Sequence, residues 1–262
     1  HESLKKLADE LVAAGHINAV ALKGLKEERL PVICGGVAVL LALFEGLKIK
    51  RMYVSDQALR EGLLYDMLGR LRHEDVRERT IGMLSERYQL DTAQAARVEK
   101  TALEMLKQVK TKWSFKDDCS RQLLGWSARL HEIGLTIAHS QYHKHGAYLL
   151  AYSDLPGFTR REQQQLATLV RAHRRKFPQA EMELLGEEAE RCSRLAVLLR
   201  LAVLLHRSHS DKPQPAIKLS AKEAGLKLRF PEGWLDEHPL TQADMEQEET
   251  FLQTMEFVLE IV

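Results

Sequence analysis

The chain has 262 residues, of which 45% are hydrophobic and 29% are charged, and this composition is typical of globular proteins. Its 38 basic and 37 acidic residues nearly cancel, so the whole chain is neither a strongly basic nor a strongly acidic protein. The sequence has no apolar run of the roughly 20 residues that a membrane helix needs, which predicts no membrane segment. Its three widely spaced cysteines favour reduced thiols of a cytoplasmic protein over a disulfide framework or a zinc site.

The first 71 residues predict a helix–strand–helix order. Apolar residues at helical spacing predict an amphipathic helix over Ser3–Ala14 and a second helix over Lys26–Leu47. The second helix is apolar almost all round, which predicts that it is buried. A β-rich run over Ile49–Val54 predicts a short strand, and a further helix follows over Leu59–Leu71. Since a single strand cannot stand alone, we expect the edge of an α/β domain whose remainder lies outside this chain, which begins at His1 rather than Met.

The middle of the chain predicts an all-helical domain with hardly a strand signal. Asp91 and Thr159 are predicted helix N-caps, because their side-chain oxygens can accept hydrogen bonds from free backbone N–H groups. Six segments carry apolar residues at a spacing of three to four: Val76–Tyr88, Thr92–Val109, Cys119–His131, His145–Tyr152, Arg160–Arg171 and Glu187–His206.

After a Pro-containing linker at residues 210–215, the pattern changes to a small α+β unit. It predicts strands over Ala216–Ser220 and Leu226–Phe230, a helix over Asp244–Leu252 and a final strand over Met255–Val262. A unit of this size is marginal by itself, so we expect it to dock on the helical domain.

Charge is distributed unevenly along the chain. Residues 231–262 contain nine acidic residues and no Lys or Arg, so the remainder holds all 38 basic residues and 28 acidic ones. A basic body with an acidic tail predicts a polyanionic partner for the body. Nucleic acid is the less favoured polyanion, because aromatic residues that could stack on bases make up only 6% of the chain.

An ordered series of motifs resembles the exopolyphosphatase/guanosine-pentaphosphate phosphohydrolase family. The resemblance begins at Val54-Ser-Asp56 and Leu59-Arg-Glu-Gly-Leu-Leu-Tyr-Asp-Met67, and continues in Arg70-x-Arg72-His-Glu-Asp75-Val-Arg77-x-Arg79-Thr80. Further members of the series are Leu130-His-Glu-Ile-Gly134, His139-Ser140, His143-x-His145, Ser153-Asp-Leu-Pro-Gly-Phe158 and Leu228-Arg-Phe-Pro231. The resemblance therefore extends over almost the whole chain.

The resemblance implies a mainly α fold in three parts. Residues 1–67 would be the end of the second actin-like (ribonuclease H-like) domain, 68–210 a helical HD-like domain, and 211–262 a small α+β C-terminal domain. The phosphate loops and catalytic Glu of the family are absent from this sequence, so we expect no catalytic residue in this chain and no hydrolysis by it alone. The resemblance places Mg²⁺ in the intact enzyme, none on this chain, and implies a cytoplasmic homodimer.

We expect this chain to hold inorganic polyphosphate while the missing domain releases terminal phosphate. The densest basic run is the main candidate site, because guanidinium groups suit phosphate oxygens. Its members are Arg171, His173, Arg174, Arg175 and Lys176. A second set, predicted as a loop of phosphate donors, comprises His139, His143, Lys144 and His145. Both sets also fit an ordinary solvated surface.

A third candidate set is Arg70, Arg72 and Arg77, where arginines seven residues apart share a helical face. Acidic residues are interleaved with these arginines, so internal ion pairs are the competing interpretation. The pair His131-Glu132 resembles the metal-binding pair of HD-type phosphohydrolases in degenerate form, because Glu stands for Asp and other ligands are missing. We therefore predict an HD-like fold there without a metal.

Three other functions stay open at this point. The first is the sister activity on guanosine pentaphosphate. The second is an independent HD-type metal phosphohydrolase, which elemental analysis would reveal. The third is a non-catalytic dimerisation module, which would dimerise without binding polyphosphate.

Overall fold

A computed structural model describes residues 2–20, 22, 24–52, 75–115 and 117–262. The chain divides into two compact units, His1–Tyr65 and Asp66–Val262. Both are predominantly helical where described, and the one sheet found among these residues lies in the second unit. None of the described helices combines the length and apolarity needed to cross a membrane.

The described part of the first unit contains two helices, α1 (Glu2–Ala14) and α2 (Leu30–Gly46), with short 3-10 turns at Ile17–Ala19 and Glu27–Arg29. Within α2 only Val37 and Phe44 are buried, whereas Val39 is 62% exposed. The prediction of a buried helix is therefore wrong for this part of the chain. The physical reason is that the described residues supply only α1 and the two short turns to pack against it.

The predicted strand over Ile49–Val54 is not formed where the structure describes it. Residues 49–52 are irregular and follow Lys48, which has a left-handed φ of 53°. Without a partner strand among the described residues, this segment has no ladder to join. Residues 53 and 54 and the predicted helix Leu59–Leu71 lie outside the described residues.

The second unit contains a helical array over residues 76–205. Its helices are α3 (Val76–Arg87), α4 (Thr92–Val109), α5 (Asp118–Leu130), α6 (Tyr142–Tyr152), α7 (Arg160–Ala172), α8 (Gln179–Glu183) and α9 (Ala189–Leu205). Short 3-10 turns lie at Ile133–Thr136 and Gly186–Glu188. The array packs around one hydrophobic core to which α3, α4, α5, α7 and α9 contribute.

Side-chain caps explain why four of these helices begin where they do. Asp75, Asp91, Asp117 and Thr159 each accept a hydrogen bond from a backbone N–H in the first turn of the following helix. Thr159 and Glu162 form a reciprocal capping box at α7. The predicted caps Asp91 and Thr159 are confirmed.

A three-stranded sheet and one helix complete the unit. Strand β1 (Lys218–Lys222) pairs antiparallel with β2 (Gly225–Arg229), which pairs parallel with β3 (Val258–Ile261). Helix α10 (Pro239–Gln253) provides the crossover between β2 and β3.

The sheet and α10 share their core with the helical array. Leu226, Leu228, Met245 and Leu259 belong to the same buried cluster as the residues of α4 and α9. The indole Nε1 of Trp113 also donates to a β1 carbonyl at 2.9 Å. Residues 211–262 thus lie on the helical part as one compact unit, because they bury too little apolar surface to stand apart. The predicted boundaries after residues 67 and 210 stay predictions.

Several element boundaries differ from the sequence-based expectation, and one short helix was missed. Helix α6 starts at Tyr142, three residues before the predicted start, and α10 starts at Pro239, five residues before it. The five-residue helix α8 was not predicted, since one turn gives too few positions for a periodic pattern.

Candidate functional site

The predicted basic run and the predicted His131-Glu132 pair meet at one cavity of about 600 Å³ in the second unit, called here the Arg/His cavity. Its walls come from the end of α5, the start of α6, the segment after α7, the second half of α9 and helix α10. A second cavity of about 550 Å³ lies between α10 and β3, where its charged lining residues are all acidic. The Arg/His cavity is therefore the better candidate for an anionic ligand.

His131 and His173 occupy equivalent positions at the ends of two helices. The Nδ1 atom of His131 lies 2.7 Å from the carbonyl oxygen of Ala128, and Nδ1 of His173 lies 2.6 Å from that of Val170. A carbonyl oxygen only accepts, so Nδ1 carries the proton in both rings and a neutral ring leaves Nε2 as an acceptor. The two rings meet edge to face with their centroids 5.5 Å apart.

Both histidines are held in the neutral form by burial. Each is at least 98% buried, and loss of hydration lowers the pKa of His131 and takes that of His173 well below the usual value. Nε2 of His173 has no hydrogen-bond partner among the described residues. The cavity floor is therefore an uncharged imidazole surface.

The first turn of α6 forms another side of this floor. Gly134 makes this packing possible, because a Cβ at this position would lie 1.9 Å from the carbonyl oxygen of Tyr142. His143 in the same turn is buried, and burial and then repulsion from neighbouring cations lower its pKa to about 4. The sequence suggested a loop of exposed donors at His143, whereas the structure buries this residue in helix α6.

Residues 173–176 form a basic turn at the cavity edge. The guanidinium carbon of Arg174 lies 4.5 Å from the ring centroid of Tyr142, a cation–π contact. Arg175 has a left-handed φ of 64° and an exposed side chain. Within the part of the chain that the structure describes, neither arginine has a carboxylate oxygen within 4.0 Å. Their positive charges are therefore available to a ligand.

Polar contacts lie in the wall formed by α10 and the residues after α9. Arg207 lies 2.5 Å from Asp244 of α10, and Nε2 of His209 lies 3.2 Å from the Glu132 carboxylate. Glu132 is also 3.8 Å from Nε2 of His131. The Asp244 carboxylate of this wall is thus paired with Arg207, while the Glu132 carboxylate contacts two histidines.

Arg200 lies beneath the basic turn with 1% of its surface exposed. Its guanidinium contacts Glu248 of α10 through both side-chain oxygens, at 2.9 Å for the Nη2–Oε2 pair. It also donates to the carbonyl oxygens of Ala172 at 2.5 Å and Arg175 at 2.7 Å. This buried pair links α9, the basic turn and α10.

The structure brings together only some of the predicted binding residues. His139, His173, Arg174 and Arg175 line the Arg/His cavity, together with His131 and Glu132 of the predicted degenerate pair. Lys144, His145, Arg171 and Lys176 do not line it, and Arg171 lies 3.7 Å from Glu181 instead. Arg70 and Arg72 lie outside the described residues.

Arg77 is engaged elsewhere in the second unit. Its guanidinium lies 2.7 Å from Asp75 and 2.5 Å from Glu162, with its carbon 4.7 Å from the Trp126 ring centroid. The side-chain hydrogen bond lowers the pKa of Asp75 and raises that of Arg77. Interleaved acids therefore neutralise this arginine, and its predicted role in phosphate binding finds no support in these contacts.

Sequence reasoning missed several cavity residues: Tyr142, Arg200, Arg207, His209 and Glu248. Only Arg200 carried a usable signal. It is a lone charge within the apolar run Leu195–Leu205, and a fully buried arginine is rare unless it is paired. The others become neighbours only through the packing of α6, α9 and α10.

A metal site is not formed by the residues that the structure describes, since no three His, Cys, Asp or Glu side chains converge there. His131 and Glu132 are adjacent, but the additional carboxylates that a hydrolytic metal centre needs do not join them. The Mg²⁺ implied for the intact enzyme thus does not fit the residues of this cavity.

Comparison with known proteins adds two family matches. The family described as "Ppx/GppA phosphatase, domain III" matches residues 76–249, and the one described as "Ppx/GppA phosphatase family" matches residues 1–71. The first match contains every lining residue of the Arg/His cavity except Phe251.

Relatives in three bacteria carry the name guanosine-5'-triphosphate,3'-diphosphate pyrophosphatase. The chain is 37% identical over 247 residues to the protein of Pseudoalteromonas translucida, which covers 94% of this chain and 50% of the relative. The Aeromonas hydrophila protein is 38% identical over 243 residues, covering 92% and 49%. The Vibrio cholerae protein is 39% identical over 247 residues, covering 94% and 49%. The chain spans about half the length of the curated relatives that it matches.

Proposed function

The chain belongs to the Ppx/GppA phosphatase family, and on that premise we propose that it is the substrate-holding half of a phosphohydrolase acting on a polyphosphorylated substrate. The observation that carries this proposal is the pair of arginines, Arg174 and Arg175, at the edge of the Arg/His cavity without a carboxylate partner among the described residues. Guanidinium groups bind phosphate oxygens through charge-assisted hydrogen bonds.

Guanosine 5'-triphosphate 3'-diphosphate is the first candidate substrate, because relatives at 37–39% identity are named for it. The cavity composition agrees with a nucleotide, since Tyr142 and Phe251 add aromatic surface to the arginines. Inorganic polyphosphate is the second candidate. It needs only cations that bind phosphate oxygens, and Arg174 and Arg175 provide them.

Hydrolysis itself is proposed to occur in the part of the relatives that this chain does not span. The resemblance places the phosphate loops, the catalytic Glu and Mg²⁺ there, and the donor set of the Arg/His cavity provides no substitute. For the fold, we infer the finer arrangement that the resemblance implies, an actin-like end over residues 1–67 and an HD-like domain over 68–210. Dimerisation through the helical domain is part of the same proposal.

The test is to titrate the 262-residue chain with each ligand by calorimetry. The variant Arg174→Gln/Arg175→Gln removes the two available charges, and Arg171→Gln/Lys176→Gln removes two charges from the same run outside the cavity. We expect the first variant to lose about tenfold or more in affinity and the second to stay close to wild type. Equal losses in both variants would mean that bulk charge, and not the cavity, holds the ligand.

A comparison of the two ligands decides the substrate class. A tighter dissociation constant for guanosine 5'-triphosphate 3'-diphosphate than for tripolyphosphate would support the nucleotide. Affinity that rises with polyphosphate length and exceeds that for the nucleotide would support the polymer. Absence of binding by the wild type to either ligand at low salt would contradict the proposed function.

A further inference from the structure

Arg200 is the one arginine among the described residues that is fully buried, and it is not exposed enough to bind a ligand itself. It lies within the apolar helix α9, where Leu198, Leu199 and Leu201 are all buried. A buried charge of this kind is costly unless its hydrogen-bonding groups are satisfied. Its contacts therefore indicate what the charge is used for.

The guanidinium makes its contacts with two different parts of the fold. On one side it pairs with Glu248 of α10, and on the other it donates to the carbonyl oxygens of Ala172 and Arg175. These carbonyls stand at the two ends of the segment that carries His173 and Arg174. Arg200 thus holds the backbone on both sides of His173 and Arg174.

The hydrogen bonds from Arg200 to the two carbonyl oxygens stabilise two features of this turn. The last carbonyls of a helix have no partner within the helix, and Ala172 is the final residue of α7. Arg175 has a φ of 64°, a left-handed conformation that is unfavourable for a residue with a Cβ atom. A buried, rigid donor that holds both carbonyls keeps the backbone in this geometry.

We propose that Arg200 and Glu248 are positioning residues that hold Arg174 and Arg175 in the geometry that binds phosphate, an inference that rests on the proposed function. Glu248 neutralises Arg200, so the buried pair fixes the turn without adding a net charge to the site. Helix α10 of the acidic C-terminal segment thereby acts on the basic turn from a distance, through one guanidinium.

A positioning role differs from a purely structural one in a measurable way. Replacement of a buried ion pair by apolar residues of similar volume is often neutral or stabilising. The variant Arg200→Met/Glu248→Met therefore keeps the packing of α9 and α10 but releases the two carbonyls. We expect it to unfold near the wild-type temperature and to bind inorganic tripolyphosphate about tenfold more weakly.

The matched control is Arg191→Met/Glu188→Met, an ion pair near the start of the same helix that does not line the cavity. It removes the same charges, and we expect wild-type affinity. If Arg200→Met/Glu248→Met does not fold, Arg200→Lys provides the test. Lysine keeps the ion pair with Glu248 but lacks the planar guanidinium that donates to both carbonyl oxygens. Wild-type affinity in the folded Met pair, or in Arg200→Lys when that pair does not fold, would overturn the inference.

A thermodynamic cycle separates this inference from the proposed function. Adding Arg200→Met/Glu248→Met to Arg174→Gln/Arg175→Gln should cause no further loss of affinity, because the positioned side chains are already gone. An additional tenfold loss would contradict positioning. If Arg174→Gln/Arg175→Gln alone binds like wild type, the proposed function fails and this inference falls with it.

Discussion

Two regions of the second unit are rich in arginine but have opposite surroundings. Arg77 lies among interleaved acids and forms ion pairs with Asp75 and Glu162, whereas Arg174 and Arg175 have no carboxylate within 4.0 Å among the described residues. The first region joins α3 to α7, and the second borders a cavity. The comparison shows that the distribution of carboxylates, more than the density of arginine, distinguishes a structural cluster from a candidate binding site.

The largest effect is expected from charge reversal in the basic turn. Arg174→Glu/Arg175→Glu should weaken tripolyphosphate binding by about a hundredfold or more, since it removes two charge-assisted bonds and adds repulsion. The melting temperature should stay close to wild type because neither side chain is needed for an ion pair. A large drop in melting temperature with preserved affinity would reverse the roles of the two regions.

The converse is expected for Arg77. Arg77→Met removes hydrogen bonds to two carboxylates and the contact with Trp126, and should lower the free energy of unfolding by about 2 kcal/mol. Urea unfolding measures this loss, and calorimetry with tripolyphosphate should give wild-type affinity. Arg77→Lys is the matched variant, which should recover only part of the stability because lysine cannot contact both carboxylates with a planar fork. A tenfold loss of affinity in Arg77→Met would place Arg77 in the binding site.

The Arg77 cluster also predicts a pH dependence. Hydrogen bonds lower the pKa of Asp75 below 3.8, and for Glu162 the bonds from Thr159 and Arg77 outweigh burial and lower the pKa below 4.5. The unfolded chain therefore takes up these protons first as pH falls. The stabilisation is complete above the ordinary values and is lost as pH falls through the lowered ones.

Urea unfolding of wild type and Arg77→Met at several pH values tests whether the stabilisation is lost on acidification. The difference in unfolding free energy between them should be constant near neutral pH and should shrink below the ordinary values of 3.8 and 4.5. A difference that stays constant on acidification would mean that the pKa values of the two carboxyl groups do not depend on Arg77.

The smallest effect is expected at Arg171, which is paired with Glu181 at 3.7 Å outside the cavity. Arg171→Gln should change tripolyphosphate affinity by about twofold or less, because surface pairs contribute little. Calorimetry compares the tripolyphosphate affinity of Arg171→Gln with that of Arg174→Gln, a variant only three residues away in sequence. A larger loss in Arg174→Gln would show that Arg174 binds the ligand and that Arg171 does not. Equal losses would extend the binding surface along the whole run.

Much of the helical fold could be predicted from local signals. Thr92–Val109 has the predicted bounds because the Asp91 cap and a clear apolar period both fix it. The start of α6 was misplaced because it depends on the packing of Gly134 against Tyr142, which is a tertiary contact.

The candidate site could be predicted only in part. Arg174 and Arg175 stood out as members of a basic run. Of the two carboxylate partners of Arg77, Asp75 is a sequence neighbour, but Glu162 is 85 residues away and no local pattern reveals it. Arg200 and Glu248 are joined across 48 residues in the same way. Sequence thus shows where charges are, while packing decides which of them remain unpaired.

The most direct test of the central claim is the salt dependence of polyphosphate binding. Each phosphate contact releases counterions, so the slope of log affinity against log salt counts the arginines that act on the ligand. Arg174→Gln/Arg175→Gln should bind more weakly and with a shallower slope than wild type, while Arg171→Gln/Lys176→Gln should keep the wild-type slope. Parallel slopes in wild type and Arg174→Gln/Arg175→Gln would contradict the account, because the basic turn would then make no contact with phosphate.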